Sequence, residues 1–310
     1  MEIKALAFSP AGISSFFEIC DETADGKPVS DLEHVGARGG GFAFEKGVLT
    51  EVDIQKAEKT RIQIFINNRL SPEAKTTKTV AEMLLQRCGQ PYFVTVKHKV
   101  EVPIGAGFGS SAAGALGAAF ALCKALKLNL TYNQLGRIAH VAEVKCRTGL
   151  GTVGPLLLGG CVISVEPGAP GYALIDRIPA TPDYWIVAGV FRSLPTREML
   201  ASPNIRKKVN KCGRETVDKI LTCPSLENFL EASRVFAVKS GFATKRVLEL
   251  IKLAENAEAV GAAQNMVGEV VHALTTEDNM ENVVQAFKKV LPKENILCGK
   301  IDFQGIRLLK

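Results

Sequence analysis

The chain has 310 residues, 46% hydrophobic and 23% charged, with a formal net charge of +6. This length allows one large domain or two ordinary ones, with enough apolar material for a sizeable core. The mild positive charge suits an anionic small molecule, and no long Lys/Arg run stands beside aromatic residues to support nucleic-acid binding.

The eight cysteines (Cys20, Cys88, Cys123, Cys146, Cys161, Cys212, Cys223 and Cys298) are scattered, with no C-x-x-C pair to suggest a zinc site. Many read as buried thiols in a reducing, cytoplasmic setting. Lys4 is followed by only a short apolar run, so no secretory signal is read at the start. Residues 103–123 and 148–165 carry no charge and approach the length of a membrane span. Their glycines, and Pro155 in the second, predict instead a buried loop–helix and a buried loop–strand.

In chain order, residues 3–8 read as a strand, broken by Ser9-Pro10-Ala11-Gly12, and an apolar pattern resumes over 13–20. A loop rich in Asp, Gly and Pro follows over 21–31. Gly36-Ala37-Arg38-Gly39-Gly40-Gly41 reads either as a bulged hairpin or as a flexible loop presenting a guanidinium to a carboxylate or phosphate. Residues 60–67 alternate as a strand. Ser71 as N-cap and Pro72 at the first position predict a helix to about residue 87. Residues 92–102 alternate Val94, Val96, His98, Val100 and Val102, which predicts a strand with His98 on its packed side. A small-residue helix begins near Ser110. A second enters at Thr131 and carries His140 and Glu143 on one face. A second glycine-rich loop (148–155) leads to a predicted buried strand (156–165). The Pro/Gly-rich zone over 167–182 is the candidate domain boundary, dividing the chain into residues 1–166 and 167–310. Beyond it come a strand over 184–190, helices over 205–222, 226–239, 244–255 and 281–290, and a small-residue loop over 260–268 running into a helix. Short strands at 296–298 and 301–309 end the chain.

The chemistry concentrates in residues 102–126, where a strand enters the run Gly105, Gly107, Gly109, Ser110, Ser111. The glycines permit tight bends and leave room for a ligand. The serines stand at a helix start, where free N–H groups and the helix dipole make an anion site. No Gly-Lys-Ser/Thr closes the loop, so it is not a Walker P-loop. The G-x-G-x-G spacing, with no acidic residue about twenty positions on, is not a dinucleotide fingerprint. A helix-terminus phosphate cradle remains. With ATP as ligand a magnesium ion is required, and Ser111 with the carboxylate of Glu143 are its natural protein ligands.

The run Pro103-Ile-Gly-Ala-Gly-Phe-Gly-Ser-Ser-Ala-Ala113 resembles the ATP-binding motif of the galacto-, homoserine, mevalonate and phosphomevalonate (GHMP) kinase superfamily. Residues 10–18, the Glu143 helix with the loop at 148–154, and residues 261–268 fall where the superfamily's other motifs fall. The resemblance implies an α+β, GHMP kinase-like two-domain fold. Its N-terminal ATP-binding domain would be ribosomal-protein-S5-like with a left-handed β-α-β crossover, and its C-terminal domain ferredoxin-like. It implies ATP contacts at Pro103, Gly105, Ala106, Gly107, Phe108, Gly109, Ser110, Ser111 and Ala112, with Mg2+ as cofactor, and a homodimer as the default assembly. Residues 9–19, 36–42, 148–153 and 264–268 most resemble an archaeal branch that phosphorylates pantoate. On that likeness Arg38 would bind the substrate carboxylate, and Ser14, Ser15 and Glu18 its hydroxyls. Another small hydroxy acceptor (mevalonate, homoserine or shikimate) and a non-catalytic nucleotide-binding regulator are the alternatives. Many superfamily members carry a lysine and a basic aspartate at the positions of Gly12 and Thr152, so the resemblance leaves the catalytic base unassigned. His140, Glu143 and Arg147 are possible helpers.

Overall fold

A computed structural model of the chain describes residues 3–23, 25–193, 202–266 and 268–310. Its organising element is a long antiparallel ribbon of β1 (Ile3–Cys20) and β2 (Gly36–Lys56), paired from Ile3↔Ile54 to Cys20↔Gly36. One expectation changes here, and one pair of alternatives is decided. The predicted break at residues 9–12 does not occur. The strand runs through, and its irregularity is taken up as register shifts between Pro10 and Ala11 and between Ser14 and Phe16. A bulge is a place where a strand tolerates proline, and it also bends the strand and re-aims a side chain. The glycines of residues 36–41 belong to β2 and form a bulged antiparallel pair, so Arg38 is presented from a strand and not from a flexible loop. They are small because β1 and its neighbours press on them. A Cβ on Gly41 would lie 1.7 Å from the Ile13 carbonyl oxygen, and one on Gly40 would lie 2.7 Å from the Phe229 ring.

The first sheet continues through β5 (Tyr92–Val100), β3 (Arg61–Ile66) and β4 (Arg69–Leu70), in the order β12-β1-β2-β5-β3-β4, where β12 is Arg307–Leu309. β3 and β5 pair in parallel, with α1 (Lys75–Cys88) between them in sequence, which makes the β-α-β unit. The N-cap of α1 is Ala74 and not Ser71, whose hydroxyl instead donates to the Arg69 carbonyl at 3.0 Å. α2 (Ser110–Ala125) lies flat on the sheet, where a Cβ on Gly117 would stand 2.2 Å from Thr50 Oγ1. Its uncharged length is therefore explained by burial, and among the described residues no helix is long and apolar enough to cross a membrane. α3 (Tyr132–Cys146) starts at Thr131 with the expected cap, closed by Gln134 in a capping box.

The predicted strand over 156–165 is instead the short helix α4 (Val153–Leu158) followed by β6 (Cys161–Ser164). β6 pairs with β2 and with β7 (Ile175–Ile178). The second sheet, β11-β8-β10-β9, is antiparallel and joins β8 (Tyr184–Arg192), β9 (Gly261–Gln264), β10 (Glu269–Thr276) and β11 (Ile296–Lys300). α5 (Pro203–Thr222) lies against β1 and β2 of the first sheet, while α6 (Leu226–Ser240), α7 (Lys245–Asn256) and α8 (Glu277–Lys288) pack on the second. The expected loop-into-helix at 260–268 is a hairpin, β9 to β10. β10 is buried on both faces, so its sequence shows no alternation to mark a strand. The terminal strand expected over 301–309 is only β12 (Arg307–Leu309), which returns to pair with β1. Division at residue 166 remains a proposal, under which β7 and β12 reach back into the first sheet.

One core cluster joins the two sheets, holding Phe16 and Phe17 of β1, Phe42 and Phe44 of β2, Ile186 of β8 and Leu274 of β10. Phe16 and Phe42 meet Phe229 of α6 edge-on, with ring centroids 5.7 and 5.3 Å away. All eight cysteines are free. Cys123, Cys161 and Cys212 are buried, four are half-buried, and Cys223 is exposed.

Three buried histidines make stability pH-dependent: burial lowers the pKa of His140, and it lowers those of His98 and His272 further. His98 accepts or donates between Thr50 Oγ1 (2.9 Å) and Thr77 Oγ1 (3.0 Å), and burial pushes its pKa down to about 4. Burial pushes His272 down to about 3. Both are neutral when folded, while the unfolded chain takes up their protons below about pH 6.5. Stability therefore falls with pH below that value, by about 1.4 kcal/mol per pH unit for each histidine. Glu143 acts oppositely, since burial raises its pKa and favours the folded state on acidification. Urea unfolding at pH 5.5 is expected to show about 2 kcal/mol less stability than at pH 7, and most of the loss should disappear in a variant lacking both imidazoles. A flat profile would mean that both histidines fold protonated, and a halved slope that one does.

Candidate functional site

The glycine loop is anchored by its side chains and open through its backbone. Ala106 and Phe108 are buried, with the Phe108 ring 6.3 Å from Phe44, and they alternate with Gly105, Gly107 and Gly109. All three glycines have positive φ (79°, 77° and 57°). Gly109 is the N-cap of α2, and no side chain caps the helix and no acid sits in its first turn. The first backbone N–H groups of α2 are thus left to a ligand, with the positive end of the helix dipole behind them.

Glu143 comes to this point from the last turns of α3. Its Oε1 accepts from Ser111 Oγ at 2.6 Å and from Thr148 Oγ1 at 2.8 Å. The carboxyl is 2% exposed; burial raises its pKa and the two hydroxyls partly offset this. Gly149 makes room for it, since a Cβ there would lie 2.1 Å from Glu143 Oε2. Among the described residues no cation pairs with Glu143, and no cluster of three or more His, Cys, Asp or Glu could hold a metal. A buried carboxylate facing only hydroxyls beside an anion cradle fits a divalent cation that takes one or two protein oxygens. Thr148 is a partner that the sequence reading named only as part of a loop.

Gly12, Thr152 and the glycine loop meet directly. Gly12 N–H donates to the Phe108 carbonyl at 2.9 Å. A Cβ on Gly12 would lie 2.7 Å from Thr152 Cγ2, and one on Gly109 2.6 Å from the same methyl. The two positions that depart from the superfamily pattern are therefore spatial neighbours at the loop. Next along the chain, a Cβ on Gly151 would lie 2.9 Å from that of Ala37, so the bent β1–β2 ribbon curls around the central loop.

Glu18 and Arg38 sit opposite each other across that ribbon and form an ion pair, Nη1 to Oε2 at 3.1 Å. Arg38 Nε donates to the Val165 carbonyl at 2.7 Å. Arg214 of α5 donates to the other Glu18 oxygen at 2.8 and 3.1 Å, and this pairing holds its guanidinium still more firmly protonated. Two arginines surround one buried glutamate, and Asp218 lies 3.9 Å from Arg38, so two guanidinium groups and two carboxylates balance in the cluster. Arg214 lies too far along the chain for the sequence reading to have joined it to Arg38. Ser14 and Ser15 point differently. Ser15 is the unpaired residue of the bulge, is buried, and its Oγ lies 2.9 Å from His272 Nε2. His140, by contrast, is buried and committed to the Val35 carbonyl at 2.8 Å.

The β9–β10 turn closes the remaining side. Asn265 backs onto Gly107, where a Cβ would lie 3.1 Å from the Asn265 Cβ, and Met266 N–H donates to the Ser14 carbonyl at 2.9 Å. Val267 of this turn lies outside the described residues. His272 was missed because it falls in a stretch without periodicity.

Comparison with known proteins agrees with this arrangement. The family described as "GHMP kinases N terminal domain" matches residues 75–160. The pantoate kinase of Methanocaldococcus jannaschii is 29% identical over 91% of this chain and 96% of its own length. That of Thermococcus kodakarensis is 31% identical over 90% of each. A solved structure described as a "Phosphotransferase related to CoA biosynthesis pathway" superposes with a TM-score of 0.87 at 27% identity, covering 100% of this chain and 99% of the other.

Proposed function

This chain belongs to the pantoate kinase family of the GHMP kinases, and from that premise we propose that it transfers the γ-phosphoryl group of ATP to pantoate, giving ADP and 4-phosphopantoate for coenzyme A synthesis. The observation that carries this reading is the open N-terminus of α2, with Ser111 held at 2.6 Å by the buried Glu143. The phosphates of ATP lie along residues 103–112, on the N–H groups of the glycine loop and α2. Ser111 and Glu143 are the residues that would hold Mg2+. When bound, the ion spreads the phosphate charge during transfer.

The acceptor lies along β1 and β2. Arg38 and Arg214 supply positive charge for its carboxylate beside Glu18, and Ser14 offers a hydroxyl to its alcohol groups, with Ser15 behind it. At Gly12 and Thr152 the chain presents a glycine and a hydroxyl, neither of which takes a proton near neutrality. Alignment and charge stabilisation then provide the acceleration, which is how phosphoryl transfer mainly proceeds. A homodimer in the cytoplasm completes the proposal.

The Gly12–Thr152 pair favours one second reading, a nucleotide-binding regulator without turnover. ADP release with MgATP and a panel of pantoate, mevalonate, homoserine and shikimate separates the readings. Turnover with pantoate alone is expected, turnover with another acceptor would replace the substrate, and none with any acceptor would favour the regulator. For Arg38→Ala the pantoate KM is expected to rise about 10- to 100-fold, the equivalent of one charge-assisted hydrogen-bonded contact, with ATP affinity nearly kept. An unaltered pantoate KM would reject the carboxylate role.

A further inference from the structure

Three buried polar side chains form a line beneath the glycine loop. Ser15 Oγ is 2.9 Å from His272 Nε2, and His272 Nδ1 is 2.6 Å from Asn265 Oδ1. An amide oxygen only accepts, so Nδ1 carries the imidazole proton and donates to it, and Nε2 accepts from the Ser15 hydroxyl. With its oxygen 2.6 Å from His272 Nδ1, the Asn265 amide turns its NH2 group away from the imidazole. That NH2 group is buried and has no hydrogen-bond partner among the described residues. A buried donor left unpaired is costly, and native folds keep few of them.

The turn that carries Asn265 is tightly held. Asn265 N–H donates to the Val270 carbonyl at 2.8 Å, and Gln264 Nε2 to the Gly268 carbonyl at 2.7 Å. On one side Asn265 abuts Gly107 of the phosphate loop; on the other, Met266 is bonded to Ser14 of the acceptor strand. The group that passes between those two sides during transfer is the phosphoryl group. The order Ser–His–Asn resembles a nucleophile triad, but acyl transfer has no place in the reaction proposed above.

We infer that the Asn265 side-chain NH2 is a ligand for the transferred phosphoryl group, with His272 and Ser15 as the residues that position it. The inference rests on the ATP-dependent transfer proposed above. The amide is a neutral donor beside Gly107, the residue before the Phe108 whose carbonyl Gly12 bonds; the resemblance would place a lysine at Gly12. Aimed at oxygens on which charge is redistributed during transfer, it stabilises without reorganising. Full burial keeps His272 neutral, which preserves its role as a one-way donor to Asn265.

The test is binding of MgATP and MgADP by calorimetry to the full chain and to Asn265→Asp and Asn265→Ser. Asp keeps an acceptor for His272 and removes the donor; Ser removes the donor without adding charge and serves if the Asp variant does not fold. ATP affinity is expected to fall about 10- to 100-fold in both, with ADP affinity within about twofold for the Ser variant. His272→Phe should lower kcat while leaving ADP affinity alone, as a positioning role requires. Equal losses of ATP and ADP affinity, or none, would overturn the inference. If the unaltered chain binds no ATP, the proposed function falls with it. If it binds ATP but ignores pantoate, only the acceptor assignment fails and the Asn265 comparison still reads.

Discussion

Glu143→Gln is expected to lower kcat with MgATP by about 10²- to 10³-fold, with Ser111→Ala losing about 10-fold or more. The substitution is isosteric and keeps an oxygen to accept from Ser111 and Thr148, so geometry changes little. Only the charge goes, and the charge is what a divalent cation requires. Folding should not suffer, because burial already disfavours the ionised carboxyl. The Mg2+ concentration for half-maximal activity is expected to rise in both variants while their thermal midpoints stay near that of the parent. Unchanged use of MgATP in both would remove Ser111 and Glu143 from the metal site.

The second large effect is structural. Gly41→Ala is expected to destabilise the chain by about 3 kcal/mol or more, because its Cβ would stand 1.7 Å from the Ile13 carbonyl oxygen and that neighbour is backbone. Relief requires β1 to part from β2 beside the Ser14–Phe16 bulge, where the ribbon also contacts Phe229 and the β9–β10 turn. Loss of fold and of nucleotide binding should therefore occur together. Urea unfolding reads the outcome, and a variant within about 0.5 kcal/mol of the parent would show that the ribbon has slack there.

The glycine loop, the capped start of α3 and the Ser111–Glu143 pairing were legible because each is written in local spacing. Gly105 to Ser111 state a turn and a helix start, and Glu143 lies just ahead of a second glycine run. The strand through Gly12 was not legible, since Pro10 and Gly12 are ordinarily breakers and only pairing with β2 shows that the strand continues, with a register shift after Pro10 and Gly12 paired to Ala43. The glycines around Arg38 left a bulged hairpin and a flexible loop equally open, and what decides for the bulged pair is steric pressure from β1 and α6, which no local pattern states. β10 hid because both faces are buried, and His272 hid with it. The contact of Arg214 with Glu18 joins residues far apart in the chain, which no local pattern records.

Phosphorus NMR of the products formed from MgATP and pantoate tests the central claim most directly. One new phosphomonoester resonance, growing in step with ADP and coupled to the protons on C4 of pantoate, is the expected result. ADP with inorganic phosphate alone, or no change in the ATP resonances while ATP remains bound, would contradict it.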